Sequence, residues 1–408
     1  MPWKASLLLG AGTFVVGAVA PLYDSYVPPL LERHLGSSAL VGAAMGIDNV
    51  LALLLVPFVG ALSDATRTAL GRRMPYVLAA LPFAGIGLAA IPAAERHGLL
   101  ALLAAMIVAD VALAVWRAPF SALLAELVPS PHRSKTEGIL GVAMCLGAML
   151  ILGSARSLSA RDPDLPFLLA AGLALAVWGM HAAWLREPAD GGADWGPAAE
   201  AGAFRAVGRV FTAGRGLAGR FFAACLLFQM AFQSFSSWFT LHGAERFHTT
   251  VADVSLGFIA VAVATLVGSL PAGWLGARLG RRRMSLMGMA GMGLACVALH
   301  AAPTLPFAVG LCALFGFSWA FPVANLMPMA LELDGAARAG SIAGAFLLVQ
   351  SVGGIVGPAS VGVWFDAVGS KRALFLLMAL FLAGGFLLLA SLRNGFGETP
   401  APSPAPVS

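Results

Sequence analysis

Charge is what this sequence has least of. Asp, Glu, Lys and Arg make up 11% of its 408 residues, against about 25% in soluble domains. Hydrophobic residues reach 59% and mean hydropathy is +0.86, so an ordinary water-soluble domain is excluded. Cysteine is scarce as well. Cys145, Cys225, Cys296 and Cys312 all fall inside apolar runs without paired metal spacing and read as small buried hydrophobes. His242 and His248 flank one predicted loop, and two histidines without further ligands do not make a metal centre. No Ser-His-Asp grouping falls at membrane depth, and no glycine-rich segment opens a soluble helix after a strand. The expectation is no enzyme, no metal and no cofactor. The net charge of +5 comes from basic residues at the ends of apolar runs, where they set topology rather than bind nucleic acid.

What is abundant is apolar length. Windows of about 20 residues, the span of a bilayer, predict an all-α membrane protein of twelve helices. The first six cover roughly 5–31, 38–63, 75–94, 99–126, 137–158 and 164–185. The second six cover roughly 219–243, 251–276, 284–302, 304–330, 338–362 and 371–392. This gives an N-terminal bundle (1–185), a linker (186–218), a C-terminal bundle (219–392) and a Pro/Ala-rich tail (393–408) expected to be disordered. Lys4 and the run ending Ala18-Val19-Ala20 resemble a signal peptide, but Pro21 follows and the apolar stretch continues to Leu31. A retained first helix is therefore expected. In the linker, Phe204, Val207 and Phe211 have the spacing of an amphipathic surface helix, and a plain linker is an equal alternative.

With both termini placed in the cytoplasm, 17 of the 25 Lys and Arg fall on the cytoplasmic side. That is the bias of a multi-pass protein of a cell's inner membrane. The basic residues also repeat. "GALSDATRTALGRRMPY" (Gly60–Tyr76) follows the second helix, and "GWLGARLGRRR" (Gly273–Arg283) follows the eighth. Gly60 aligns with Gly273 and Arg72-Arg73 with Arg281-Arg282, while Asp64 becomes Ala277. One loop at the same place in two halves marks an internal duplication, and repeat-built transporters carry their sites near the midplane between repeats.

The Gly60–Tyr76 loop resembles the signature loop of the major facilitator superfamily. The wider pattern of Pro57, Gly60, Ser63-Asp64, Thr66, Thr68, Gly71-Arg72-Arg73 and Pro75-Tyr76 is similar to the glycoside–pentoside–hexuronide symporters, and among them to the sucrose/proton branch. "ADVALAVWRAPFSALLAEL" (Ala109–Leu127) resembles the fourth helix of those carriers through Asp110, Pro119 and Ala122–Glu126. "NLMPMALELDGAARAGSIAG" is similar to the connection from their tenth to eleventh helix. Leu113 and Ala114 stand where plant sucrose carriers have an Asn pair. Val56 and Ala52 replace the acids of the sodium-coupled melibiose carriers. The resemblance implies the two-bundle fold, proton-coupled symport, and a cytoplasmic gate at Gly60, Asp64, Gly71, Arg72 and Arg73. Asp64 lies at a helix C-terminus, where the dipole opposes a carboxylate and calls for a cationic partner. Arg72 and Arg73 are close enough to supply one.

Ionisable groups at membrane depth are costly and mark function by default. Asp48 lies ten residues into the second helix and Asp110 eleven into the fourth, about 15 and 16 Å deep at ~1.5 Å per residue. Such carboxylates can load and release a proton as their access to water alternates, so Asp110 and then Asp48 are the proton-coupling candidates. Arg117 shares a helical face with Asp110 about 10 Å away along the axis, and suits another acid or an anionic cargo. Asp24, between Tyr23 and Tyr26, is expected near the outer interface. By the resemblance, the first, fourth, seventh and tenth helices line the cavity. Tyr23, Asp24, Trp116, Arg117, Gln229, Gln233, Trp319 and Asn325 are then the candidate cargo contacts, with amides and aromatics suited to sugars. Gln229 and Gln233 serve equally as helix–helix glue. The expected function is proton-coupled symport of a disaccharide or glycoside by a monomer in the lipid bilayer. A proton antiporter exporting small amphipathic or anionic compounds is the alternative.

Overall fold

The computed structural model describes residues 3–187, 216–333 and 339–392. The linker sequence around Phe204 and the Pro/Ala-rich tail lie outside the described residues. Regular structure among the described residues is helical, apart from an isolated bridge between Thr68 and Gly71 and a short 3-10 turn at Lys371–Ala373. In chain order the helices are α1 (Trp3–Glu32), α2 (Ser38–Met45), α3 (Ile47–Ala65), α4 (Met74–Arg96), α5 (Leu99–Leu127), α6 (Ser130–Ser159) and α7 (Leu165–Trp184). Then follow α8 (Leu217–Phe247), α9 (Val251–Val254), α10 (Leu256–Leu279), α11 (Arg281–His300), α12 (Leu305–Leu331), α13 (Ala339–Val368) and α14 (Leu374–Ala390). Two expected helices are each broken once: α2 ends at Gly46 before α3, and α9 ends at Ser255 before α10. The described residues thus form the twelve expected rods.

Ten of the rods are long and apolar enough to cross a membrane. The other two, α8 and α11, are helices in the expected places with diluted hydropathy. Gln229, Gln233, Ser234, Ser236 and Ser237 interrupt α8, and Arg281–Arg283 open α11. The longest extensions past the expected limits are at α6, which begins at Ser130 rather than 137, and α13, which runs to Val368 rather than 362. Apolar content stops at the membrane boundary, but the i→i−4 hydrogen-bond ladder does not. α1 runs unbroken through Pro21.

Contacts group the chain into two compact units that do not follow the sequence halves. Unit 1 holds the described residues up to 187 together with Ser236–Ile259 and Pro358–Val368; unit 2 holds Ala260–Gly357 and the remaining described residues. In unit 1, α1 packs along α6, and α4 packs on α5 and α7. The α1–α6 crossing is a backbone contact: a Cβ on Gly17 would lie 1.9 Å from the Met144 carbonyl oxygen. His181 of α7 is buried and its Nε2 lies 2.9 Å from the Leu8 carbonyl of α1. In unit 2, α11 packs on α12 and α14. Ala272, Met284, Ala320 and Phe321 close a small buried core there.

Candidate functional site

Three carboxylates and one guanidinium converge in unit 1. Asp110 is buried in α5 and accepts a hydrogen bond of 3.0 Å from the Tyr23 hydroxyl of α1. Asp48 lies in the first turn of α3, because the helix restarts at Gly46. The positive end of the α3 dipole therefore faces its carboxylate. Its Oδ1 accepts from the Asn49 amide nitrogen at 2.6 Å and from Asn49 Nδ2 at 2.7 Å. Asp48 interacts electrostatically with Asp110, Asp24, Tyr23 and Arg117. Asp24 is half-buried and hydrogen-bonds to Ser236.

Arg117 differs from the other members. It is exposed, and no hydrogen bond or ion pair joins its guanidinium to a described residue. At ~100° per residue, Asp110, Arg117 and Ser121 fall within about 40° of one another on α5. An apolar groove between α4 and α5, lined by Phe83, Val108, Val111 and Val115, lies on another face of the helix. Trp116 is not on the Arg117 face. It is buried, stacked on Phe120 at 4.0 Å, and fills the space beside Gly12 of α1.

In unit 2, Asn325 is buried in α12 and its Nδ2 donates to the carbonyls of Ala272 at 3.2 Å and Phe321 at 2.9 Å. Trp319 is half-buried and stacks on Phe232 at 4.5 Å. Gln229 packs its stem where a Cβ on Gly353 would lie, 2.8 Å away, and Gln233 is half-buried one turn on.

The signature loop forms a second constellation, also within unit 1. Asp64 and Arg73 make an ion pair at 2.8 Å without hydrogen-bond alignment. Arg73 Nε also reaches Glu126 at 2.8 Å, and Arg72 Nη2 reaches the same carboxylate at 3.1 Å. Glu187 completes the set. Its side chain is 1% exposed, lies 3.8 Å from Arg72, and accepts from the backbone nitrogens of Arg73 at 2.8 Å and Met74 at 3.3 Å. It thus caps the N-terminus of α4, where a carboxylate is favoured. Gly71 has φ +103°, and a Cβ there would lie 2.3 Å from Glu187 Oε2. Gly60 lends its carbonyl to Ser63 Oγ at 2.8 Å.

The second copy of the loop solves the same problem without an acid at position 277. Arg282 is buried and donates to the carbonyls of Leu389 at 3.2 Å and Ala390 at 2.5 Å, at the C-terminus of α14. Arg281 pairs with Glu332. A helix C-terminus carries partial negative charge and replaces the carboxylate.

Sequence reasoning assigned no role to Glu126 or Glu187. Glu126 stood within a recognised motif, and an acid at the loop-side end of the α5 helix beside two arginines was the available signal. Glu187 had none, since it sits at the edge of a linker and meets the loop only in three dimensions.

A helical chain with ten rods long and apolar enough to cross a membrane and a duplicated basic loop is a transporter rather than an enzyme. The sequence profile of the Major Facilitator Superfamily matches residues 9–358, and the chain belongs to that family. Among curated proteins, none matches. Solved structures share the fold. A point mutant of the nucleoside transporter NupG superposes with TM-score 0.74 at 13% identity, covering 95% of this chain and 98% of that one. A bacterial homologue of the human lysosomal transporter Spinster, inward-facing and unoccupied, gives 0.71 at 15% identity with 98% of each chain covered. A D-xylose–proton symporter gives 0.71 at 16% identity, covering 96% of this chain and 97% of that one.

Proposed function

We propose that this chain is a proton-coupled secondary transporter working by alternating access, with Asp110 as the group that loads and releases the proton. The observation that carries this is the buried Asp110–Tyr23 pair, whose carboxylate has a neutral hydroxyl rather than a cation as its hydrogen-bond partner. Desolvation penalises the charged form of such a group, and water reaching it from one side at a time would let it discharge. Asp48 is the weaker candidate, because the α3 N-terminus and Asn49 already stabilise its charge. The carrier acts as a monomer in the inner membrane, with both termini in the cytoplasm.

Symport of a disaccharide or glycoside is the first reading of the cargo. It is supported by the motif resemblance and by the likeness in fold to a D-xylose–proton symporter. Gln229, Gln233 and Trp319 remain its candidate contacts, whereas Trp116 is packed in a helix contact and Asn325 is committed to backbone carbonyls. One observation favours the second reading, proton-coupled export of small amphipathic or anionic compounds. Arg117 presents an exposed guanidinium that pairs with no described acid. The described acids of the second sequence half offer it no carboxylate at membrane depth, since Glu245, Asp253, Glu332 and Asp366 all lie at or near helix ends.

The test is gradient-driven flux in proteoliposomes with internal pH recorded. Wild type is compared with Asp110→Asn and Arg117→Gln, using labelled sucrose, maltose, a monosaccharide and a panel of amphipathic carboxylates. Proton-coupled sugar accumulation lost in Asp110→Asn and kept in Arg117→Gln supports the first reading. Carboxylate flux lost in both variants supports the second. Wild-type proton-driven flux in Asp110→Asn overturns the assignment of the proton site.

A further inference from the structure

The two sequence halves meet inside unit 1 at the end of α2–α3 opposite the signature loop. There the N-terminus of α2 is capped by a carboxylate from far along the chain. Asp366, near the C-terminus of α13, accepts from Ser37 Oγ at 2.6 Å, Ser38 N at 2.7 Å and Ala39 N at 3.0 Å. Position 366 is a poor place for an acid on its own helix, since the C-terminal dipole repels it. The α2 N-terminus supplies the compensation, as Arg73 does for Asp64 at the other end.

The surrounding joint is built for close backbone approach. A Cβ on Gly42 would lie 2.3 Å from the Pro358 carbonyl oxygen, and one on Gly362 would lie 2.3 Å from that of Ser38. Trp238 Nε1 donates to the Pro358 carbonyl at 3.0 Å, and Arg156 pairs with Asp253 at 3.2 Å. Asp366 is exposed, so water can replace each of its three bonds. The glycine faces carry no side chains to interlock, so α2 and α13 can part without unthreading.

We propose that Asp366 is a releasable latch that holds the end of the molecule opposite the signature loop shut and lets it open when its three hydrogen bonds pass to water. This rests on the alternating-access part of the proposed function and is independent of the proton carrier and the cargo.

The experiment uses the full chain in lipid nanodiscs, without cargo or gradient. Nitroxides are placed at Gly36→Cys and Val368→Cys, and the native cysteines, all buried, remain in place. Pulsed dipolar spectroscopy gives the distance distribution. Asp366→Ala is expected to raise the ratio of a longer to the shorter distance about tenfold, three charge-assisted bonds being lost. Gly362→Ala is expected to move it the same way by driving a methyl group into the Ser38 carbonyl. An unchanged distribution in both variants overturns the latch, and so does uniform broadening with helix content retained. Should Asp366→Ala fail to fold, Ser37→Ala, which removes one of the three bonds, is expected to give a smaller shift in the same direction; no shift there overturns the proposal. Loss of proton coupling in Asp110→Asn leaves this readout untouched, so the two proposals fail separately.

Discussion

Tyr23 was expected to touch cargo, and its hydroxyl donates to Asp110 at 3.0 Å. The residue type suits both tasks, because a phenol is an apolar body with one polar tip. Tyr23→Phe keeps the ring and leaves Asp110 buried without its donor. A buried group stripped of its hydrogen bond costs about 1–3 kcal/mol. We expect a lower thermal midpoint in detergent and roughly tenfold slower proton-driven flux, the lower end of that range, with equilibrium exchange of cargo less affected. Equal loss of both fluxes would instead make Tyr23 a cargo contact. Arg117 illustrates the same point in reverse: its exposure leaves it available, whereas the buried Arg73 and Arg282 are committed to structural partners.

Among the elements, the α3–α4 connection is held by three acids and two arginines more than by its own backbone pairing. Breaking a buried ion pair by removing one partner costs about 3–5 kcal/mol. Glu126→Gln strips the shared acid from both Arg72 and Arg73 and is expected to approach the lower end of that range, read as a fall in thermal midpoint. Glu187→Ala uncaps α4 and is expected to cost about 1 kcal/mol, in the range of a lost helix cap. A midpoint unchanged in Glu126→Gln would show that the cluster contributes nothing to the resting fold. Helix ends belong here too. The hydropathy of α6 and α13 stops short of their hydrogen-bond ladders, and the extension of α13 is what places Asp366 on a helix.

For the molecule as a whole, two carboxylates stand at the C-terminal ends of two helices, Asp64 on α3 and Asp366 on α13. Under the alternating-access proposal their removal acts in opposite directions. With the signature loop as the proposed cytoplasmic gate, Asp64→Ala is expected to lower the share of the longer Gly36–Val368 distance, while the double variant Asp64→Ala/Asp366→Ala returns towards wild type. Thiol accessibility from the two sides of a sealed vesicle checks the same sign. A shift of Asp64→Ala in the same direction as Asp366→Ala would contradict the opposition of the two ends.

The class of protein follows from composition and pattern. Apolar length and the scarcity of charge leave a helical membrane chain as the solution, since backbone groups in lipid must be satisfied within each segment. The duplicated loop pointed to the family, and helical rise gave Asp48 and Asp110 an expected position near mid-membrane. Side-chain partners, by contrast, come from tertiary packing. Hydropathy carries no information about which helix faces which, so it could not show that Glu126 and Glu187 complete the loop cluster or that Tyr23 reaches Asp110. Nor could it show that Asp366 caps a helix 327 residues earlier in the chain. Those pairings arise where helices distant in sequence cross, and there burial and hydrogen-bond geometry give each side chain its task.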